Sequence, residues 1–304
     1  MAVPGEAVRV TLFLQYAANG IANGFVIGLL ALSVVVIFRS TRVLSFAQGS
    51  IASLSTYAFF QMFTRWQWPV ALAFVFAIAA AALIGIGAWA LAMLPLRRTD
   101  PLTRTVATLA LVLVLQMIMR TRWGGNEEFI KPLLDSRITI GSFVIGAQQV
   151  LIAVVAILAT SGLTFWFRRS FAGLALSAMA DDPSTARLLG VNPARVAATA
   201  WSIGAVLGAL AGILITPLLV LNPFQMTLLM VTAFGAALLG GFDSVPLALG
   251  GALLIGIVQS VTTGYITTSG FSEAFGFIAV FAVLLLRRGH ATSLLDSLAR
   301  ETAL

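Results

Sequence analysis

The sequence runs to 304 residues, of which 60% are hydrophobic and 10% charged, with a formal net charge of +7 and no cysteine. Soluble domains carry about 45–50% apolar and about 25% charged residues, so a water-soluble fold of this length would lack the charge to cover its surface. Water is thereby excluded as the main solvent, and the absence of cysteine excludes disulfides and thiolate metal sites.

Only a helix satisfies its own backbone in hydrocarbon, and it needs about 20 apolar residues to cross about 30 Å. Nine candidate spans follow in chain order, at residues 12–38, 44–63, 69–93, 105–121, 144–167, 194–221, 226–240, 246–264 and 272–286. The seventh is short for a full crossing and suits a tilted or re-entrant segment. The expected fold is all-α and polytopic, with about 8–10 spans in one transmembrane domain over residues 1–304. Before residue 10 no basic region precedes a short apolar stretch and a cleavage site, so the first run reads as a retained span.

In the first span Gln15, Asn19 and Asn23 recur every four residues and share one helical face. Amides in hydrocarbon need partners or a wet path. Asn19, Asn23, Gln48, Gln116 and Gln259 are the candidate path-lining residues, with hydrogen bonding between helices as the plain alternative. Gly20, Gly24 and Gly28, and again Gly204, Gly208 and Gly212, form small-residue stripes of the kind that let helix backbones approach closely in lipid.

Between the fifth and sixth spans, residues 168–195 carry the most specific local signal. Asp182 followed by Pro183 is a helix start, Gly190 a helix stop, and Asn192-Pro193 starts the sixth span. A short capped helix follows, about Pro183 to Leu189, with Leu188 and Leu189 as apolar anchors and Asp181, Asp182 and Arg187 as a polar rim. An interfacial helix lying in the headgroups and a lever gripped by a partner both fit that spacing.

The basic residues, all arginine except Lys131, sit in short clusters between the apolar runs. That is a topology signal rather than the contiguous basic face that nucleic acid requires. With loops alternating, one side collects twelve of them and the other six, which places the N-terminus outside and the C-terminus in the cytoplasm. The longest outer loop, Trp123 to Gly141, has mixed charge and reads as a solvated loop or a contact for an external partner.

Four ordered segments carry a resemblance. Ser177-Ala178-Met179-Ala180-Asp181-Asp182 with Leu188-Leu189-Gly190-Val191-Asn192 resembles the cytoplasmic coupling segment of permease subunits of branched-chain amino-acid ABC importers. Ser45-Phe46-Ala47-Gln48-Gly49 is similar to that family's Asn-Phe-Ala-His-Gly. Pro95-Leu96-Arg97-Arg98, with Leu102-Thr103-Arg104 and Ala107-Thr108-Leu109, resembles its third-to-fourth span connection. Leu239-Gly240-Gly241-Phe242-Asp243-Ser244-Val245-Pro246 resembles its Gly-rich segment. Ser45, Gln48, Asp243 and Leu247 depart from the family pattern, which leaves the cargo open.

The resemblance implies a binding-protein-dependent importer of the bacterial inner membrane. Its expected partners are a second permease subunit, related or identical, two cytoplasmic ATPase subunits, an external substrate-binding protein and membrane lipid. Asp182, Pro183, Arg187, Leu188, Leu189 and Gly190 become the ATPase-coupling residues. The chain itself is expected to be neither an enzyme nor a holder of any cofactor, ATP being bound by the partner subunits. Independently, a phosphate loop needs Gly-Lys-Ser/Thr, whereas Lys131 stands between Ile130 and Pro132.

Branched-chain or other small hydrophobic amino acids are the expected cargo, and urea, amides or aromatic acids the alternative within the family. An ion-coupled secondary transporter is the rival from another class, but proton-coupled carriers place a carboxylate or histidine inside the membrane. All eleven acidic residues fall in loops, tails or span ends, and the single histidine, His290, is in the polar tail. A channel filter and an intramembrane catalytic cluster find no counterpart in the spans.

Overall fold

The computed structural model describes residues 6–133, 136–140, 143–242, 244–265 and 278. The expected ninth span at 272–286, of which residue 278 alone is described, lies outside those residues, as do Asp243 and His290. Ten α-helices are present among the described residues: α1 (Glu6–Thr41), α2 (Ala47–Phe60), α3 (Val70–Ala88), α4 (Pro101–Trp123), α5 (Ala147–Arg169), α6 (Phe171–Asp181), α7 (Pro183–Leu188), α8 (Pro193–Ile215), α9 (Gln225–Leu239) and α10 (Val245–Tyr265). Helices α2 and α3 each run on into a five-residue π-helical turn, Gln61–Arg65 and Trp89–Met93.

Six of these helices, α1, α3 with its π turn, α4, α5, α8 and α10, are long and apolar enough to cross a bilayer. Their starts follow local chemistry. Asp100 caps α4 by accepting from the Thr103 amide at 3.0 Å, with Pro101 in the first turn, and Asn192 caps α8 through the amides of Ala194 and Arg195 at 2.9 and 3.3 Å.

Burial sorts the spans into a centre and a wall. In α1, 83% of the most apolar stretch is buried, and in α8 67%, whereas the figure is 22% in α3 and 28% in both α4 and α5. A helix that is apolar all round and buried all round is a core helix, while an apolar helix with one exposed side faces lipid. Helix α1 therefore runs through the middle of the subunit and packs on α10, α8, α9 and α5.

Small residues make that packing tight. A Cβ placed on Gly20 would stand 2.7 Å from the Cα of Ile257, and one on Gly24 2.8 Å from the Cα of Leu253. Gly256 of α10 meets Gly24 backbone to backbone. Gly28 faces side chains instead, chiefly the tip of Leu249 with Ala252 Cβ at 3.5 Å. Gly204 packs on Ile37 and Ser33 of α1, while Gly208 and Gly212 pack on Ala52 and Thr56 of α2.

Two expected spans are shorter than the rest. At about 1.5 Å per residue, the 15 residues of α9 span roughly 22 Å, short of the hydrocarbon thickness. Helix α2 has 14 residues and begins at Ala47 rather than 44, because residues 42–46 are not helical, although Val43 and Ser45 are buried. Non-helical backbone at membrane depth is tolerated where protein surrounds it, and here the Phe46 amide donates to Thr108 Oγ1 of α4 at 3.1 Å. The starts of α2 and α9 meet: Gly49 lies against the Met226 carbonyl and Thr227 Cα, and Ser50 Oγ is 3.2 Å from Thr227 Oγ1.

The outer loop is structured. Strands β1 (Arg137–Ile140) and β2 (Phe143–Gly146) pair antiparallel, with Ile140 opposite Phe143 and Arg137 opposite Gly146. An all-α reading absorbed residues 144–146 into the fifth span. The β-branched and aromatic run on either side of Gly141-Ser142 is a hairpin signal that the apolar count concealed. Further along the same end, Glu128 and Leu221 exchange backbone hydrogen bonds at 3.0 and 2.9 Å, and Arg65 pairs with the Glu128 carboxylate at 2.8 Å. The loop is thus tied to the helix ends as well as being in contact with solvent.

Candidate translocation path and coupling surface

A cavity of about 900 Å³ lies between α1, α5, the end of α8, α9 and α10. Most of its polar lining comes from three helices. Helix α1 supplies Tyr16, Asn19 and Asn23, α5 supplies Gln149, and α10 supplies Gln259, Ser260 and Thr263. The facing wall is mostly aliphatic, with Ile215 at the end of α8, Leu218 and Leu219 after it and Leu228, Leu229 and Val231 on α9, which also contributes the polar Gln225 and Thr232. No charged side chain lines the cavity among the described residues.

The polar groups form a linked set. Gln149 Nε2 donates to Asn19 Oδ1 at 2.6 Å while its Oε1 accepts from the Gly146 amide at 3.1 Å. One amide therefore fixes the start of α5 and orients Asn19. From α10, Ser260 Oγ donates to the Tyr16 carbonyl of α1 at 2.7 Å, while Thr263 Oγ1 donates within its own helix to the Gln259 carbonyl at 2.9 Å. The Gly20, Gly24 and Gly256 crossing brings α1 and α10 close enough for the first of these bonds.

Of the residues singled out in the sequence, Asn19, Asn23 and Gln259 are brought together here, and Gln48 and Gln116 are not. Gln48 is fully buried at the start of α2, with neither amide atom hydrogen-bonded. Gln116 lies on α4 and donates to Thr227 Oγ1 at 3.3 Å. Gln116, Thr227 and Ser50 thus form a polar contact where α2, α4 and α9 meet. Tyr16, Gln149, Gln225, Ser260 and Thr263 were not singled out. The i, i+1, i+4 grouping of Gln259, Ser260 and Thr263 on α10 is a readable signal of a polar face, whereas Gln149 gave none, standing at a helix start where amides are common.

The arginine-rich end carries the second candidate surface. Helix α6 is capped by Ser170, whose Oγ accepts from the Gly173 amide at 2.9 Å, and ends at Asp181. Asp182 then caps α7 by accepting from the amides of Ser184 at 2.9 Å and Thr185 at 3.2 Å. Their hydroxyls donate to the same carboxylate. Hydrogen bonds from Ser184, then from Thr185, hold the Asp182 carboxyl well below the usual carboxylate range.

At the other end of α7, the Val191 amide reaches the Ala186 carbonyl and the Gly190 amide the Arg187 carbonyl, both at 3.0 Å, with Gly190 at φ +87°. This paired closure needs a left-handed residue, and glycine adopts it without steric cost. Helix α7 has six residues, Pro183–Leu188, one shorter than the spacing suggested. Ala186 turns inward and is buried, while Leu188 is 88% and Leu189 78% exposed. Phe171 and Leu174 of α6 are exposed too, so the segment presents apolar side chains that none of the described residues covers.

A bundle of apolar spans with a neutral cavity and a rigid, apolar-tipped segment at one end defines a polytopic membrane permease. The chain belongs to the family described as "Branched-chain amino acid transport system / permease component", which it matches over residues 16–286. It is 30% identical over 289 residues to the high-affinity branched-chain amino acid transport system permease protein LivH of Escherichia coli (strain K12), covering 90% of this chain and 93% of that protein. To BraD of Pseudomonas aeruginosa, a protein of the same description, identity is 29% over 288 residues, covering 90% and 92%. A probable branched-chain amino acid transport permease of Methanocaldococcus jannaschii is 27% identical over 275 residues, 85% of each chain. No solved structure matches. A transport permease component is not in itself an enzyme, and its helices make this one a multi-pass membrane protein.

Proposed function

We propose that the chain forms the membrane path of a binding-protein-dependent importer for small amino acids with aliphatic side chains. In this reading it pairs with a second permease subunit, related or identical. Two cytoplasmic ATPase subunits grip α6 and α7, and an external binding protein delivers cargo at the end that carries the β1–β2 hairpin. ATP is held by the partner subunits alone, the C-terminus is cytoplasmic and the N-terminus external.

The observation that carries this reading is the make-up of the cavity wall. Amides and hydroxyls on α1, α5 and α10 can meet the ammonium and carboxylate of a zwitterion, and the leucines of α9 and the α8 end can meet a branched aliphatic side chain. A wall without fixed charge binds such a solute weakly enough to release it. The names of the relatives, each a branched-chain amino acid permease, support the same cargo. Exposed Leu188 and Leu189, on a segment stiffened by caps at both ends, support the motor contact.

The test is uptake of radiolabelled leucine by proteoliposomes holding this chain with a second permease subunit, two ATPase subunits and a binding protein from the same organism. Leucine should accumulate only with ATP and binding protein. The double variant Leu188→Asp, Leu189→Asp should insert normally yet lose at least nine-tenths of ATP-driven uptake. Accumulation by this chain alone on an ion gradient, or uptake of urea or amides with no effect of leucine, would overturn the proposal.

A further inference from the structure

A second cleft, of about 450 Å³, opens at the arginine-rich end between the end of α1, the end of α3, the start of α4, α6, α7 and the start of α8. Five arginines line it, Arg42, Arg97, Arg98, Arg104 and Arg187, and no acidic residue does so among the described residues. Asp100 and Asp182, close in sequence to the lining residues Arg98 and Met179, stand outside the lining and cap α4 and α7. Arg42 reaches over to the Ala180 carbonyl at 2.6 Å and Arg104 donates through Nε and Nη2 to the Thr99 carbonyl at 3.1 and 2.9 Å. These two are fixed in place, whereas Arg97, Arg98 and Arg187 are exposed on the rim. Leaving Arg42 aside, the four positive charges of Arg97, Arg98, Arg104 and Arg187, gathered with no lining carboxylate among the described residues, repel one another and call for an anion.

The lining also tells which kind of anion. Below the arginines lie Val43, Trp89, Met93 and Met179, an apolar floor a free phosphate would not use. Trp89 and Met93 belong to the last turn of a helix apolar enough to cross the bilayer, so the cleft stands at the level where headgroups meet acyl chains. Beside it Leu91 is 83% and Leu102 72% exposed on the lipid-facing wall. We propose that the cleft holds the phosphate of an anionic diacyl phospholipid, clamped among Arg97, Arg98, Arg104 and Arg187 at the ends of α3, α4 and α7, with its acyl chains lying along α3 and α4. An occupied cleft would tie the ends of α1, α3, α4 and α8 to the segment that bears α7, making the rigidity of that segment depend on the lipid around it.

The full-length subunit in detergent, titrated with dioleoyl-phosphatidylglycerol or dioleoyl-phosphatidylcholine, tests this by native mass spectrometry and by the lipid-dependent rise in unfolding temperature. Phosphatidylglycerol should be retained in preference to phosphatidylcholine. The variant Arg97→Gln, Arg98→Gln should weaken its binding about thirtyfold, the combined contribution of two arginines near an anionic surface. Arg97→Lys, Arg98→Lys should stay within a few-fold of the unaltered chain, and Arg120→Gln, Arg122→Gln, at the opposite end of α4, should change nothing. Equal retention of both lipids by the unaltered chain, which needs no variant to fold, would overturn the proposal. So would displacement of phosphatidylglycerol by inorganic phosphate, which would make the occupant a soluble anion, or by an acidic peptide, which would make it a protein.

Discussion

Asp182 gathers two backbone amides and two hydroxyls on one carboxylate, so its charged form is the one that starts α7. Because its folded value lies below that of the unfolded chain, about 3.9, the contribution to stability is present above pH 4 and fades only as pH falls below it. The cap is therefore fully engaged throughout pH 5 to 8. Replacing Asp182 by Ala should speed hydrogen exchange at the Ser184 and Thr185 amides several-fold relative to the unaltered chain. That ratio should stay constant from pH 5 to 8, and Asp182→Asn should give a smaller effect because asparagine also caps. Unchanged exchange at both amides in the alanine variant would show that Pro183 and the Gly190 closure hold α7 without it.

At the scale of an element, α1 and α10 are held by contact of backbone with backbone, and the two kinds of glycine in the stripe should behave differently. A methyl on Gly24 would press on Leu253 Cα at 2.8 Å and the Ala252 carbonyl at 3.0 Å, neither of which can rotate away. On Gly28 it would press on Leu249 Cδ1, the free end of a flexible side chain. Gly24→Ala should cost about 1–3 kcal/mol, the usual penalty of overpacking, and Gly28→Ala less than about 1 kcal/mol, read as shifts in thermal unfolding of the detergent-solubilised subunit. Equal shifts would mean that the helices slide to accommodate either methyl. The stripe itself was visible in the sequence, as were the long spans, because lipid demands a run of apolar residues that counting finds. What counting missed has a common cause. The non-helical stretch at 42–46 with the late start of α2 that it causes, and the β1–β2 hairpin, lie in apolar runs without being helical, and hydropathy does not separate those cases. Nor could the cavity wall be read, since Gln149 meets Asn19 across 130 residues of chain and only the fold brings them together.

For the whole molecule, the imbalance of basic residues, twelve against six, and the single crossing made by α5 lead to one topological expectation. Phe129 lies before α5 at the hairpin end and Leu189 beyond it at the cleft end, 73% and 78% exposed. Between them α5 alone crosses, 23 residues or roughly 35 Å of helix. The chain has no cysteine, so Phe129→Cys and Leu189→Cys each give a single reactive thiol without further changes. A membrane-impermeant maleimide should label the first in intact spheroplasts and the second only in inverted vesicles. The reverse pattern would turn the molecule over and place the α6–α7 segment out of reach of any cytoplasmic ATPase. Labelling of both from one face would remove α5 from the spans and, with it, the wall that carries Gln149.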